Sequence, residues 1–140
     1  MRTQPQEVIA KLEADNSRLA KEKILLEAMN EGLDEFFEGL KMCLDKLYTF
    51  GVKQVPKKDE VISAQGCKWE VFKELAEKLN KRELTGHAAR DAINLVMSSA
   101  TAEQWNGFYR RILIKDLRCG GSEKTVNSVA KKNKFGKYMV

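Results

Sequence analysis

The sequence predicts a single all-helical domain, and three observations lead to that prediction. Apolar residues recur at three- and four-residue steps over most of the chain, which is the period of an amphipathic helix. The 140 residues include only 2 prolines and 9 glycines. A chain of this length, 43% hydrophobic, can bury one core. We therefore expect a compact multi-helix domain over residues 1–130 and a basic linker over 131–140.

The first 50 residues are predicted to form three short helices rather than one long one. The trio Asp15-Asn16-Ser17 is a turn and N-cap signal. Gly32 and Gly39 would each cost a helix interior about 1 kcal/mol relative to alanine. However, leucines also recur every seven residues from Leu12 to Leu47, as in a leucine zipper. A dimeric coiled-coil adaptor that binds protein is therefore the alternative interpretation. The three predicted helices lie near residues 6–14, 18–29 and 33–47.

Helical periodicity resumes in the second half of the chain after a connector. The stretch from Tyr48 to Val55 alternates weakly before a proline, which fits an extended connector or a short strand. The string Lys57-Lys58-Asp59-Glu60 is interpreted as an exposed, solvated loop. Further helices are expected from Cys67 to Leu79, after Thr85-Gly86, after a capping box formed by Thr101 and Gln104, and from Ser122 to about Ala130.

Composition excludes several classes of function. Three widely spaced cysteines and one histidine form neither a disulfide framework nor a zinc pattern, so no metal site is expected. No apolar run approaches the roughly 20 residues that cross a bilayer, which predicts a soluble, cytoplasmic protein. The net charge is +5, and residues 101–140 carry 9 basic and 3 acidic side chains, a net +6. This basic third indicates either a surface for a polyanion or a solvated tail.

The most informative stretch runs from Phe108 to Val129. It is predicted to place four cations, Arg110, Arg111, Lys115 and Arg118, in the second half of one helix. The following Gly120-Gly121-Ser122 would open a new helix with exposed backbone N–H groups, and Lys124 lies one turn further. Such a corner can bind phosphate. The alternative is an ordinary capped corner beside a solvated basic face.

A second helix start, Thr85-Gly86-His87, follows Lys81 and Arg82 and has the same character more weakly. Several helix N-termini with nearby cations can follow a phosphate backbone without reading base sequence.

The residues of this stretch also resemble a known family. RRILIKDLRCGGSEKTVNSV, beginning at Arg110, resembles the signature that ends the N-terminal DNA-binding domain of ATP-dependent DNA ligases. KRELTGHAARDAINLVM, beginning at Lys81, resembles a helix pair in ligases of T-even-type bacteriophages. The resemblance implies an all-α domain that grips the minor groove of nicked duplex DNA, independently of sequence, during replication, repair and recombination. It implies a phosphate-binding surface made of Arg111, Lys115, Arg118, Gly120, Gly121, Ser122, Lys124, Thr85, Gly86 and His87.

The resemblance also carries an expectation about catalysis. Ligases use a lysine nucleophile in a Lys-x-Asp-Gly motif, with ATP and a magnesium ion. The nearest string here, Lys57-Lys58-Asp59-Glu60, lacks the glycine. We therefore expect no catalytic residue and no cofactor in this chain, with ATP and Mg²⁺ used by the parent ligase. Residues 131–140 would lead to its catalytic domains. The chain is expected to act as a monomer in the cytoplasm, that of the host cell if it is phage-encoded.

Overall fold

The computed structural model describes residues 4–15, 17–52, 55–58, 66–116 and 123–139. Within these ranges the chain forms helices and no β-strand, which confirms the all-helical prediction. Helix α6 is one continuous helix over 102–113, whose central turn, Trp105–Tyr109, is π-helical. A short 3₁₀ helix, Gly136–Tyr138, follows the last α-helix. The other helices are α1 (Pro5–Ala14), α2 (Arg18–Glu31), α3 (Asp34–Leu44), α4 (Trp69–Asn80), α5 (Gly86–Ser99) and α7 (Glu123–Lys132).

The helix boundaries follow from local chemistry that the sequence displays. Ser17 accepts the Ala20 N–H at 3.4 Å and so caps α2, and Gly32 ends that helix in the left-handed region at φ +70°. Thr101 and Gln104 form the predicted capping box, each accepting the other's backbone N–H at 3.1 Å. Most of the turn chemistry therefore acts as predicted.

The seven-residue leucine spacing does not form a zipper. The spacing runs through α1, α2 and α3, which are separate helices, so its leucines cannot form one seam. Leu12, Leu33 and Leu40 are buried in the domain core, whereas Leu19 and Leu47 are largely exposed. The continuous zipper on which the coiled-coil alternative depends is therefore not formed by the described residues, because α1 ends at Ala14 and α2 at Glu31, before the heptad repeats enough times.

The core lies where α3, α4 and α6 meet. Phe72 stacks on Tyr109 with ring centroids 4.5 Å apart, and Phe108 contacts both Phe36 and Trp69. Gly39 is required here, because a Cβ atom at this position would come within 2.5 Å of the Phe108 ring. The aromatic residues Trp69, Phe72, Trp105 and Phe108 are all buried.

The described parts of the connector between α3 and α4 are held against α6 by side-chain amides. Asn106 accepts the Lys58 N–H at 2.8 Å and donates to the Lys58 carbonyl at 2.9 Å. Gln104 makes a similar pair of hydrogen bonds with the backbone of Cys67. These parts of the connector are thus tied to the first half of α6 and form no strand.

The C-terminal segment packs on the domain. Tyr138 is buried, stacks on Phe37 at 4.3 Å, and donates a 2.6 Å hydrogen bond to Asp34. Helix α7 continues to Lys132, two residues past the predicted end. Residues 131–139 are therefore anchored to the domain through Phe135 and Tyr138, while the lysines among them are exposed. The continuation of this segment toward a further domain stays a prediction.

Candidate nucleic-acid interface

The basic helix predicted to run to Gly120-Gly121 ends earlier, at Leu113. Lys115 adopts φ +57°, in the left-handed region. The Lys115 N–H donates to the Ile112 carbonyl at 3.0 Å, and the Asp116 N–H donates to the Arg111 carbonyl at 2.9 Å. These two bonds form a Schellman motif with lysine in place of the usual glycine. Arg110, Arg111 and Lys115 consequently do not share one extended helical face.

The cations of this stretch are engaged with the protein itself. The Lys115 ammonium donates to the carbonyl of Asp45 at 2.6 Å and to that of Tyr48. Arg111 forms an ion pair with Glu13 at 3.2 Å, and its side chain is only 19% exposed. Arg110 donates to the Val55 carbonyl at 2.8 Å.

Lys115 belongs to a set of four basic residues that we call the helix-end cations. Each donates to carbonyls at or just beyond the C-terminal end of a helix, where the macrodipole is negative. The Lys21 ammonium donates to Leu12 of α1 at 2.7 Å. Arg82 donates to Leu79 of α4 at 2.8 Å and also to Thr49 at 2.9 Å. The helix-end cations are Lys21, Lys58, Arg82 and Lys115.

Lys58 is the most buried of the helix-end cations, with 6% of its surface exposed. Its ammonium donates to the carbonyls of Met97 at 2.9 Å, Ser98 at 3.2 Å and Ala100 at the end of α5. The prediction of a solvated loop is therefore wrong for Lys58, although Lys57 is exposed as expected. Sequence alone gave no signal for this contact, because the partner carbonyls lie about 40 residues away.

The predicted helix start at Thr85-Gly86-His87 is present and open to solvent. Gly86 begins α5 with φ +56°, a conformation that favours glycine, and no atom lies near its missing Cβ. Thr85 makes no side-chain capping bond, and the first turn contains no acidic residue. The positive end of the α5 dipole is therefore neither capped nor neutralised by a side chain of its own first turn.

A second outward cationic surface lies on α7 and the segment after it. Residues 123–139 contain five lysines and one glutamate, a net charge of +4. Val126, Val129 and Ala130 are buried, and the 100° helical step places Lys124 and Lys131 on the opposite face, about 10 Å apart along the axis. Both lysines are exposed.

The turn that follows α3 is contacted by both regions predicted to bind phosphate, the end of α6 and the segment before α5. Asp45 to Tyr48 forms a β-turn in which the Tyr48 N–H donates to the Asp45 carbonyl at 3.1 Å. Lys115 contacts this turn from one side, and Arg82, four residues before Gly86, contacts the adjacent Thr49 from the other. The remaining predicted site residues, Arg118, Gly120, Gly121 and Ser122, lie outside the described residues.

The described residues give no support for catalysis by a cysteine or for metal binding. Burial raises the pKa of Cys67 and that of Tyr109, whose hydroxyl donates to the Cys67 carbonyl at 2.8 Å. A raised pKa keeps the thiol protonated, the opposite of what a nucleophilic or metal-binding cysteine needs. No cluster of potential metal ligands occurs in the part of the chain that the structure describes. Nor does that part include a helix with the length and hydropathy needed to span a membrane.

Comparison with solved structures relates this fold to ligases. A structure named Pmar-Lig_Pre. superimposes with a TM-score of 0.93 and 59% sequence identity over 99% of this chain. A second, named Pmar-Lig_PreS3, gives a TM-score of 0.93 and 60% identity over 99% of this chain. The chain is related to part of a ligase. It covers 31% of the length of each of these ligases. No protein-family model matches the sequence, and no curated protein matches it.

Proposed function

We propose that the chain is the N-terminal DNA-binding domain of an ATP-dependent DNA ligase and holds nicked duplex DNA through its phosphate backbone. The observation that carries the proposal is the near-complete match, at 59% identity, to a part of proteins named as ligases. In this proposal the domain does not seal nicks alone. The catalytic domains, with ATP and Mg²⁺, belong to the parent enzyme, which works in replication, repair and recombination in the cytoplasm.

Two outward surfaces support a phosphate-binding role. The start of α5 presents backbone N–H groups at an exposed helix N-terminus, beside the exposed Lys81. The outer face of α7 adds Lys124 and Lys131. Contacts of this kind hold the DNA backbone without reading the bases, which suits an enzyme that acts on nicks of any sequence.

The predicted site residues take different roles in this proposal. Thr85, Gly86, His87 and Lys124 are exposed and contact phosphate directly. Lys115 and Arg111 act as positioning residues, because their cationic groups already bind Asp45, Tyr48 and Glu13. The proposed contacts at Arg118, Gly120, Gly121 and Ser122 rest on the family resemblance alone.

Fluorescence polarisation with a labelled nicked duplex tests the proposal. We expect the monomeric 140-residue chain to bind with an affinity that falls with salt. About four to six phosphate contacts correspond to a log K against log [salt] slope of about −4 to −5. Duplexes of unrelated sequence should bind equally well. Absence of duplex binding at low salt, with the chain folded by circular dichroism, would contradict the proposal.

A further inference from the structure

The turn from Asp45 to Tyr48, which we call the 45–48 turn, presents an apolar side chain to solvent. Lys46 and Leu47 occupy its two central positions, and Leu47 is 86% exposed, more than any other large hydrophobic residue among those described. A single exposed leucine is common on protein surfaces. The way in which this turn is held distinguishes it from the other exposed leucines.

The 45–48 turn is fixed from within and from two neighbouring elements. The Asp45 carboxylate accepts the Leu47 N–H at 2.9 Å. Lys115 donates to the carbonyls at both ends of the turn. On the other side, Asn80 accepts the Thr49 N–H at 3.0 Å, and Arg82 donates to the Thr49 carbonyl.

Two of these anchoring residues have unfavourable backbone conformations. Lys115 and Arg82 lie at φ +57° and +62°, where residues other than glycine are rare. Each ends its helix, α6 or α4, with a backbone turn that aims its cationic side chain at the segment around the turn. The fold therefore gives the turn a definite shape and leaves the Leu47 side chain outside.

We propose that the 45–48 turn enters the minor groove of the bound duplex and that Leu47 makes an apolar contact with its sugars and base edges. This inference rests on the proposed function. The turn is linked through Thr49 to Arg82, four residues before the proposed phosphate contact at Gly86. Its first central residue, Lys46, is exposed and positively charged, which suits the flanking phosphates. The anions nearby in the chain are Asp45, whose carboxylate faces back into the turn, Glu83 and Asp116.

The dimensions of DNA favour the minor groove for this contact. The major groove, about 12 Å wide, accepts a whole helix, whereas the minor groove is only about 6 Å wide. A two-residue tip fits the narrower groove, and apolar side chains are used there by many proteins that bind DNA without base-specific hydrogen bonds.

Leu47→Ala tests the inference, with Leu95→Ala as the matched control because Leu95 is 73% exposed on α5, well beyond its N-terminal turn. We expect Leu47→Ala to weaken binding of a nicked duplex about tenfold, since a buried aliphatic contact is lost. Its salt slope should equal that of the wild-type chain, because no phosphate contact is removed. Leu95→Ala should bind like the wild type. A dye that fills the minor groove should compete with the wild-type chain.

Each failure has a distinct signature. Wild-type affinity in Leu47→Ala, or loss of affinity accompanied by a shallower salt slope or a lower melting temperature, would overturn the inference and leave the proposed function standing. An absence of competition by the dye would overturn the placement in the minor groove. If the wild-type chain binds no duplex at all, the proposed function fails and this inference fails with it.

Discussion

The helix-end cations and the lysines of α7 are both basic groups, but they differ in the partners they bind. Lys58 is buried with three carbonyl partners at the end of α5, whereas Lys124 and Lys131 are exposed on the outer face of α7. The first group closes helix C-termini inside the domain. The second group adds positive charge to the surface and makes no comparable contact with the core.

The basic side chains therefore fall into two groups: those that stabilise helix ends within the fold, and those that are left exposed to bind a partner. The net charge of +5 counts both groups equally. Four of the basic residues are already bound to helix ends, so the electrostatic surface for DNA depends on fewer cations than the sequence suggests. Substituting members of the two groups should therefore change different measured quantities.

Lys58→Met should give the largest loss of stability. The substitution keeps most of the aliphatic chain but leaves the carbonyls of Met97, Ser98 and Ala100 without their charged donor. We expect the free energy of unfolding to fall by about 3 kcal/mol. The melting temperature should fall by roughly 10 °C in a domain of this size. Thermal unfolding followed by circular dichroism measures both changes.

Lys57→Met is the matched control for this experiment, because the neighbouring Lys57 is exposed. Its melting temperature should stay within a few degrees of the wild type. Equal losses in the two variants would contradict the assignment of Lys58 as a helix-end cation.

Lys115 allows the ammonium and the backbone conformation to be tested separately. Lys115→Met keeps a side chain in the left-handed region and loses the bonds to Asp45 and Tyr48. We expect it to lower the free energy of unfolding by about 1.5 kcal/mol, since water can partly replace the half-buried ammonium. Lys115→Gly loses the same bonds but favours the left-handed conformation.

The glycine variant should therefore be about 1 kcal/mol more stable than the methionine variant. Urea unfolding of the two proteins gives this difference directly. If Lys115→Met were as stable as the wild type, the ammonium would contribute nothing to the fold.

Features that depend on residues close together in the chain could be predicted from the sequence. Helix periods, the Thr101 and Gln104 capping box and the glycine that begins α5 are local features, and the structure confirms each of them. Contacts between distant segments could not be inferred in this way. Lys58 was interpreted as solvated because its partners on α5 are about 40 residues further along the chain.

The way in which α6 ends could not be predicted from the sequence, for a different reason. A lysine at a helix C-terminus predicts a favourable interaction with the macrodipole of its own helix. Lys115 instead ends its helix in the left-handed region and binds the end of α3. Nothing in a lysine predicts this conformation, because glycine and asparagine are the usual residues there. Likewise, the packing of Tyr138 on Phe37 could not be separated from a basic tail by composition alone.

The double substitution Lys124→Gln with Lys131→Gln should change stability least. Both side chains are exposed opposite the buried face of α7, so the free energy of unfolding should change by no more than about 0.5 kcal/mol. The salt slope for duplex binding should nevertheless become shallower by about 2, because about 0.9 is lost per phosphate contact.

Lys78→Gln is the control, since Lys78 pairs with Glu74 at 3.2 Å on the exposed side of α4 and should leave the slope unchanged. An unchanged slope in the double variant would remove α7 from the DNA-binding surface. A loss of stability beyond 1 kcal/mol, roughly twice the range of ordinary surface substitutions, would instead place these lysines with the cations that the fold uses.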